Sequence, residues 1–143
     1  MITIRYLNSG DIPAAEEFCD IYEANPDWRV GIDPDDFIDG ISEDTDYFIG
    51  AFVDDELVGV VTLGGADGVV DEATCEDALF SDLYVIPEKR SSGIGARLIE
   101  SALSEAAKEY TGVYGDILDD NLYHYYKRFG FQLVSDGLIY KPL

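Results

Sequence analysis

Residues 79–118 read as a β-rich run, a proline, a loop, an amphipathic helix and a second β-rich run, and that order leaves few folds open. Leu79-Phe80-Ser81-Asp82-Leu83-Tyr84-Val85-Ile86 predicts a strand that Pro87 stops. Over 93–110, Ile94, Leu98, Ile99, Ala102, Leu103 and Ala106 recur at helical spacing, with Arg97, Glu100, Ser104 and Lys108 on the opposite face. A short strand is predicted at 113–118. Two strands joined by a helix need a crossover and therefore pair in parallel.

The flanking segments add antiparallel material. Residues 2–7 alternate as a strand, and Asn8-Ser9-Gly10-Asp11 offers a turn, with Asp11 suited to cap a helix over 12–24 that carries Pro13 in its first turn. A short helix over 34–40 is expected to form one wall of a cleft. The runs 47–53 and 57–63, joined by Asp54-Asp55-Glu56, fit a hairpin, and 64–77 is a polar connection. A helix over 121–129 and strands at 131–134 and 138–140 complete the order. The expectation is one domain over 1–143, of α/β or α+β class, with a mixed sheet and helices on its faces.

Charge narrows the function. Thirty Asp and Glu stand against nine Lys and Arg, a net charge of −21, while the chain is 47% hydrophobic. It has too much apolar material to stay disordered. So acidic a surface argues against nucleic acid and anionic membranes, both of which need clustered cations. The scattered carboxylates fit a salt-adapted surface, because at molar salt the Debye length is about 3 Å and self-repulsion is screened. No apolar run is long enough to span a membrane, and Met1-Ile2-Thr3-Ile4-Arg5-Tyr6 lacks the order of a signal peptide, so a cytoplasmic location is expected. Cys19 and Cys75 read as buried or inert thiols. With a single histidine, His124, and no CxxC, no metal site is expected.

Seven of the nine basic residues lie from Lys89 onward. Lys89-Arg90-Ser91-Ser92-Gly93-Ile94-Gly95-Ala96 opens the long helix, so its N–H groups face outward at the positive end of the helix dipole, and Arg90 adds a fixed cation. A flexible loop that merely starts a helix is the alternative. The dinucleotide fingerprint fails because Leu98 occupies its third small position, and no Gly-Lys-Ser/Thr supports a P-loop.

On these residues the sequence resembles the GNAT superfamily of acyl-CoA-dependent N-acyltransferases. The likeness spans nearly the whole chain: the opening Ile4-Arg5 strand with Asp11-Ile12, the hairpin, Leu83-Tyr84-Val85-Ile86-Pro87-Glu88, the Arg90-Ser91-Ser92-Gly93-Ile94-Gly95-Ala96 loop, and Tyr126-Lys127-Arg128-Phe129-Gly130-Phe131. It implies a mostly antiparallel sheet of six to seven strands with about four helices. It also implies acetyl-CoA as acyl donor and direct transfer to a primary amine, on a small molecule or on a protein N-terminus or lysine. A non-catalytic acyl-CoA-binding regulatory or interaction module stays open.

The resemblance assigns the CoA pyrophosphate to Arg90, Ser91, Ser92, Gly93, Ile94, Gly95 and Ala96. It assigns the pantetheine arm to the backbone of Leu83, Tyr84 and Val85, with the Val85 N–H donating to the acyl carbonyl. Tyr126 matches the family tyrosine that protonates the departing thiolate, which an un-ionised phenol of pKa about 10 can do at neutral pH. Tyr123 and Tyr125 are expected to be structural. The family asparagine seven residues before that tyrosine is replaced by Asp119; Asn121 is the nearest, suited to cap a helix and to contact pantetheine. Asp82 is the strand carboxylate nearest the chemistry and the candidate base, a role that needs burial. The acidic segments 25–46 and 64–77 make a cationic amine one hypothesis for the acceptor. Oligomeric state stays open, a homodimer included.

Overall fold

The computed structural model describes residues 1–27, 30–117 and 119–143. Strands β1 (Ile2–Tyr6), β2 (Phe48–Val53), β3 (Glu56–Gly65), β4 (Asp77–Val85), β5 (Gly112–Asp116), β6 (Gln132–Ser135) and β7 (Leu138–Pro142) form one sheet in the order β1-β2-β3-β4-β5-β7-β6. β4 and β5 run parallel, as the crossover requires, and the other pairs are antiparallel. Helices α1 (Ile12–Ala24), α2 (Pro34–Ser42), α3 (Ile94–Ala106) and α4 (Tyr123–Lys127) complete the chain. This is the mixed, mostly antiparallel α/β sheet with four helices that the sequence implied. None of the helices among the described residues is long and apolar enough to cross a membrane.

Aromatic contacts fasten α1 and α2 to the sheet. Phe18 meets Phe37 at 5.9 Å and Tyr84 at 5.8 Å, and Tyr22 meets Tyr84 edge-on at 4.8 Å. Each such pair contributes about 0.5–1.5 kcal/mol beyond the area it buries. α3 turns Ile94, Leu98, Ile99, Ala102 and Ala106 inward.

Several boundaries differ from expectation for local reasons. α3 stops at Ala106 rather than 110, because Lys108 and Glu109 donate to Glu105 and Ala106 three residues back and tighten the last turn. β4 starts two residues early, at Asp77: its carboxylate accepts the Thr74 N–H and closes the turn that precedes the strand. α4 is only five residues, preceded by a 3-10 turn, Asp120–Leu122. β5 ends at Asp116, and Leu118, the expected end of that strand, lies outside the described residues. α2 runs on to Ser42 and packs with α1 without lining the cleft described below.

Asp11 does not cap α1 with its side chain. Its carboxylate takes both Arg5 guanidinium nitrogens, at 2.8 and 2.7 Å, and the Asn8 N–H at 2.9 Å. The Arg5 hydrogen bonds hold its carboxyl below the usual range against the opposing effect of burial. Cys19 is buried, and burial followed by nearby carboxylates pushes its thiol up to about 11; Cys75 is exposed. At the far edge of the sheet all four residues of β6 are exposed, Leu133 and Val134 among them.

Candidate functional site

The site begins where two strands stop pairing. β4 and β5 share rungs from Asp77↔Gly112 to Phe80↔Gly115. At that last rung a Cβ on Gly115 would stand 2.4 Å from Phe80 Cε1, so glycine is what lets the strands lie this close. Immediately beyond it β4 bulges: Thr62 faces Ser81 and Val60 faces Tyr84, which leaves Asp82 and Leu83 opposite Val61 alone. Asp82 adopts φ +54°, left-handed backbone that aspartate tolerates better than most residues. Thr62 Oγ1 lies 2.7 Å from Ser81 Oγ and pins the strand just before the bend.

Past the bulge β4 offers its backbone to the gap. The Ile86 N–H donates to Val58 O on β3 at 2.9 Å, so alternation turns the N–H and C=O of Val85 away from β3. The Val85 carbonyl accordingly accepts from Arg90 Nε at 2.9 Å. Tyr84 itself is buried; its hydroxyl donates to Asn25 O and its ring lies 5.2 Å beneath the Arg90 guanidinium, so it presents only main chain.

Two hollows flank α4. The first, about 380 Å³, is lined by Lys89, Arg90, Ser91, Gly93, Gly95 and Arg128, with Val85, Ala96 and Tyr125 completing its wall. It sits at the N-terminus of α3, where the first N–H groups lack intrahelical partners. Gly93 turns the chain into the helix at φ +86°, with nothing within 4 Å of where a Cβ would be, so the loop is open above it. A diphosphate fits this donor set: three cations, a helix N-terminus and uncrowded backbone. Ser92 Oγ donates to Lys89 O and so braces the loop, and Ile94 is buried in the core, leaving only its N–H on the open side.

The second hollow, about 140 Å³, lies in the gap between the strands and is lined by Ser81, Asp82, Leu83, Asp116, Tyr125 and Tyr126, among others. Tyr126 is 7% exposed, its ring against Phe80 at 5.5 Å. The Asp82 carboxylate accepts the Gly31 N–H at 2.9 Å. A larger hollow of about 650 Å³ lies at the other end of the sheet, but Arg5, which lines it, is already bidentate on Asp11.

Of the residues expected at the site, Arg90, Ser91, Gly93, Gly95, Ala96 and Val85 line the first hollow and Asp82, Leu83 and Tyr126 the second, with Tyr125 common to both, while Ser92, Ile94 and Tyr84 line neither. Asn121 does not join them. It is exposed and lines neither hollow, and its N–H donates to Asp119 Oδ1, so Asp119 supplies the turn-capping oxygen expected of Asn121. His124 is exposed. Among the described residues no group of three or more His, Cys, Asp or Glu is set to hold a metal ion.

Sequence reasoning assigned no site role to Lys89, Tyr125, Arg128 or Asp116, all of which line a hollow. Tyr125 lines both hollows, and a Cβ on Gly95 would stand 3.4 Å from its hydroxyl. Burial raises its phenol pKa against the lowering effect of Arg128, whose guanidinium lies 5.4 Å from its ring. Arg128, three residues on and so on the same helix face, was the available signal. Asp116 ends a strand that pairs in parallel, and ligands of α/β sheets gather beyond such carboxyl ends.

A family model described as an acetyltransferase (GNAT) domain matches residues 44–133. Among solved structures, yncA of Salmonella typhimurium, determined with its cofactor acetyl-CoA, superposes with a TM-score of 0.77 at 16% identity, over 100% of this chain and 94% of that one. N-acetylglutamate synthase of Neisseria gonorrhoeae, complexed with coenzyme A and N-acetyl-glutamate, gives 0.72 at 19% identity, over 100% of this chain. The loading GNATL domain of CurA from Lyngbya majuscula gives 0.64 at 16% identity, over 81% of this chain. The chain spans 35% of the synthase and 64% of the CurA domain, less than two thirds of either. At such identities the likeness is one of fold. A search of curated proteins finds no match.

Proposed function

This chain belongs to the GNAT acetyltransferase domain family, and on that premise we propose that it moves an acetyl group from acetyl-CoA directly to a primary amine, as a single domain over 1–143. The observation that carries the reading is the gathering of Lys89, Arg90 and Arg128 around the N-terminus of α3, beside the parted strands, in a chain of net charge −21. A CoA thioester, when bound, supplies an activated acyl carbonyl and a thiolate leaving group. Arg90, held by Val85 O, would grip the diphosphate with Lys89, Arg128 and the N–H groups of Ser91, Ser92, Gly93, Ile94, Gly95 and Ala96. The Val85 N–H would polarise the acyl oxygen, with Leu83 and Tyr84 contributing main chain along the arm. Tyr126 would give its phenolic proton to the departing sulfur. Asp82 would face the incoming amine. Placing amine and thioester together does most of the work, and no covalent enzyme intermediate is needed. The acid coat we read as salt adaptation, so that melting temperature climbs with KCl.

Calorimetric titration with acetyl-CoA in concentrated KCl, paired with a thiol-release assay over a broad amine panel, tests this. Saturable binding with turnover is expected, and the double variant Arg90→Ala, Gly93→Trp should weaken binding at least a hundredfold while far-UV circular dichroism stays unchanged. Binding without thiol release from any amine would make the protein a non-catalytic acyl-CoA-binding module. Absence of binding would end the reading.

A further inference from the structure

We propose that Asp116 is a further catalytic residue, which takes the proton of the acceptor ammonium while Asp82, facing it across the gap, tunes that transfer and favours acceptors carrying a second cation. The proposal rests on the acetyl-transfer reading above and names a residue that reading does not use.

Placement comes first. Phe80↔Gly115 is the last rung between β4 and β5; Asp116 is the next residue on one strand, and Asp82 is two residues on along the other, at the bulge. The two carboxylates therefore stand on opposite lips of the fork, and both line the hollow that Tyr126 closes. Gly31 N–H engages one oxygen of Asp82. Among the described residues no hydrogen bond or ion pair occupies the Asp116 carboxylate.

Charge comes second. Among the described residues, the titratable groups that line this hollow with Asp116 are Asp82 on β4, Asp27 beyond α1, and Tyr125 and Tyr126 on α4, while Lys89, Arg90 and Arg128 line the other hollow. An acceptor arriving as an ammonium is drawn to the acidic side, and a phosphate-bearing donor to the basic one. Asp116 is exposed at the mouth of the hollow; partial desolvation there first, and then the charge of Asp82, raise its carboxyl above its ordinary range, which makes it a better proton acceptor.

The step balances within groups already named. The ammonium loses one proton to Asp116, and the freed lone pair forms the N–C bond to the acyl carbon. The C–S bond breaks, the sulfur takes the Tyr126 proton, and the nitrogen gives up its second proton to solvent, from which Tyr126 is reprotonated. Asp116 releases its proton to water.

Putrescine and γ-aminobutyrate, matched in chain length and opposite in distal charge, serve as probes at one ionic strength. Wild type should acetylate putrescine at least tenfold faster in kcat/KM. Asp116→Asn should lower kcat about a hundredfold and flatten the acid limb of the pH–rate profile, with the Kd of acetyl-CoA within twofold; Asp116→Glu, which retains the carboxylate, should keep the limb. Asp82→Asn should move the limb to lower pH, because removing its charge lets the Asp116 pKa fall, a displacement that a packing role would not produce. Unchanged kcat and pH profile in Asp116→Asn, an unmoved limb in Asp82→Asn, or equal rates for the two probes overturns the proposal while leaving acetyl transfer intact. Wild type that fails to bind acetyl-CoA overturns both.

Discussion

The two hollows that meet at Tyr125 are separated by one helix and built from opposite charge. Among the described residues, one gathers three of nine cations around a helix N-terminus, and the other holds Asp27, Asp82 and Asp116, three of thirty acids. In a chain with this surplus of carboxylates a cluster of cations is informative through its composition alone. A cluster of acids is informative only through its placement, and here that placement is the fork of a parallel pair. The positive hollow could be found by reading the chain, whereas the negative one required the sheet.

The comparison can be broken at its centre. If Tyr126 is the proposed acid, Tyr126→Phe removes the proton offered to the departing thiolate and should lower kcat about a hundredfold at neutral pH, with the acetyl-CoA KM little changed. A matching loss in acetyl-CoA affinity by calorimetry would instead make Tyr126 part of the binding surface. Arg90→Ala should weaken acetyl-CoA about tenfold, the lower end for a charge-assisted hydrogen bond in an open loop. Its effect should shrink in concentrated KCl, and an effect independent of salt would mean that Arg90 only braces Val85 O and Tyr84.

The smallest effect sharpens the contrast by leaving both hollows alone. Asp11→Asn, at the other end of the sheet, should cost about 1.5 kcal/mol of stability at neutral pH through the lost charge-assisted hydrogen bonds, with acetyl transfer unaltered. Because the folded state lowers the Asp11 pKa, this stabilisation is present above its unfolded value of about 4 and fades as pH falls through the lower folded one. Chemical denaturation of both proteins along a pH series checks it, and a stability gap that widened toward acid would contradict the Arg5 pairing.

The strand, loop and helix of 79–106 were legible because each is written locally: Pro87 stops a strand, and glycine opens an amphipathic helix. The parallel pair followed from connectivity alone. What stayed hidden depends on contacts far apart in the chain. Asp11 looked like a helix cap because nothing near it in sequence announces that Arg5 on β1 will claim its carboxylate. Asn121 lost the capping role to Asp119 because a 3-10 turn, not the first turn of α4, occupies 120–122. Three tyrosines crowded into 123–126 are indistinguishable until α4 is docked, and docking then turns Tyr125 toward Gly95 and Tyr126 toward Phe80. Asp116 was one acid of thirty until Gly115 fixed the point where β5 leaves β4.

The bare outer strand β6 gives the acid coat a second consequence. A sheet margin with exposed Leu133 and Val134 invites another chain to add itself by main-chain pairing. In fresh water, mutual repulsion between copies stands guard over that margin; in brine the guard thins, so ions that screen the acid coat also bring its neighbours within reach.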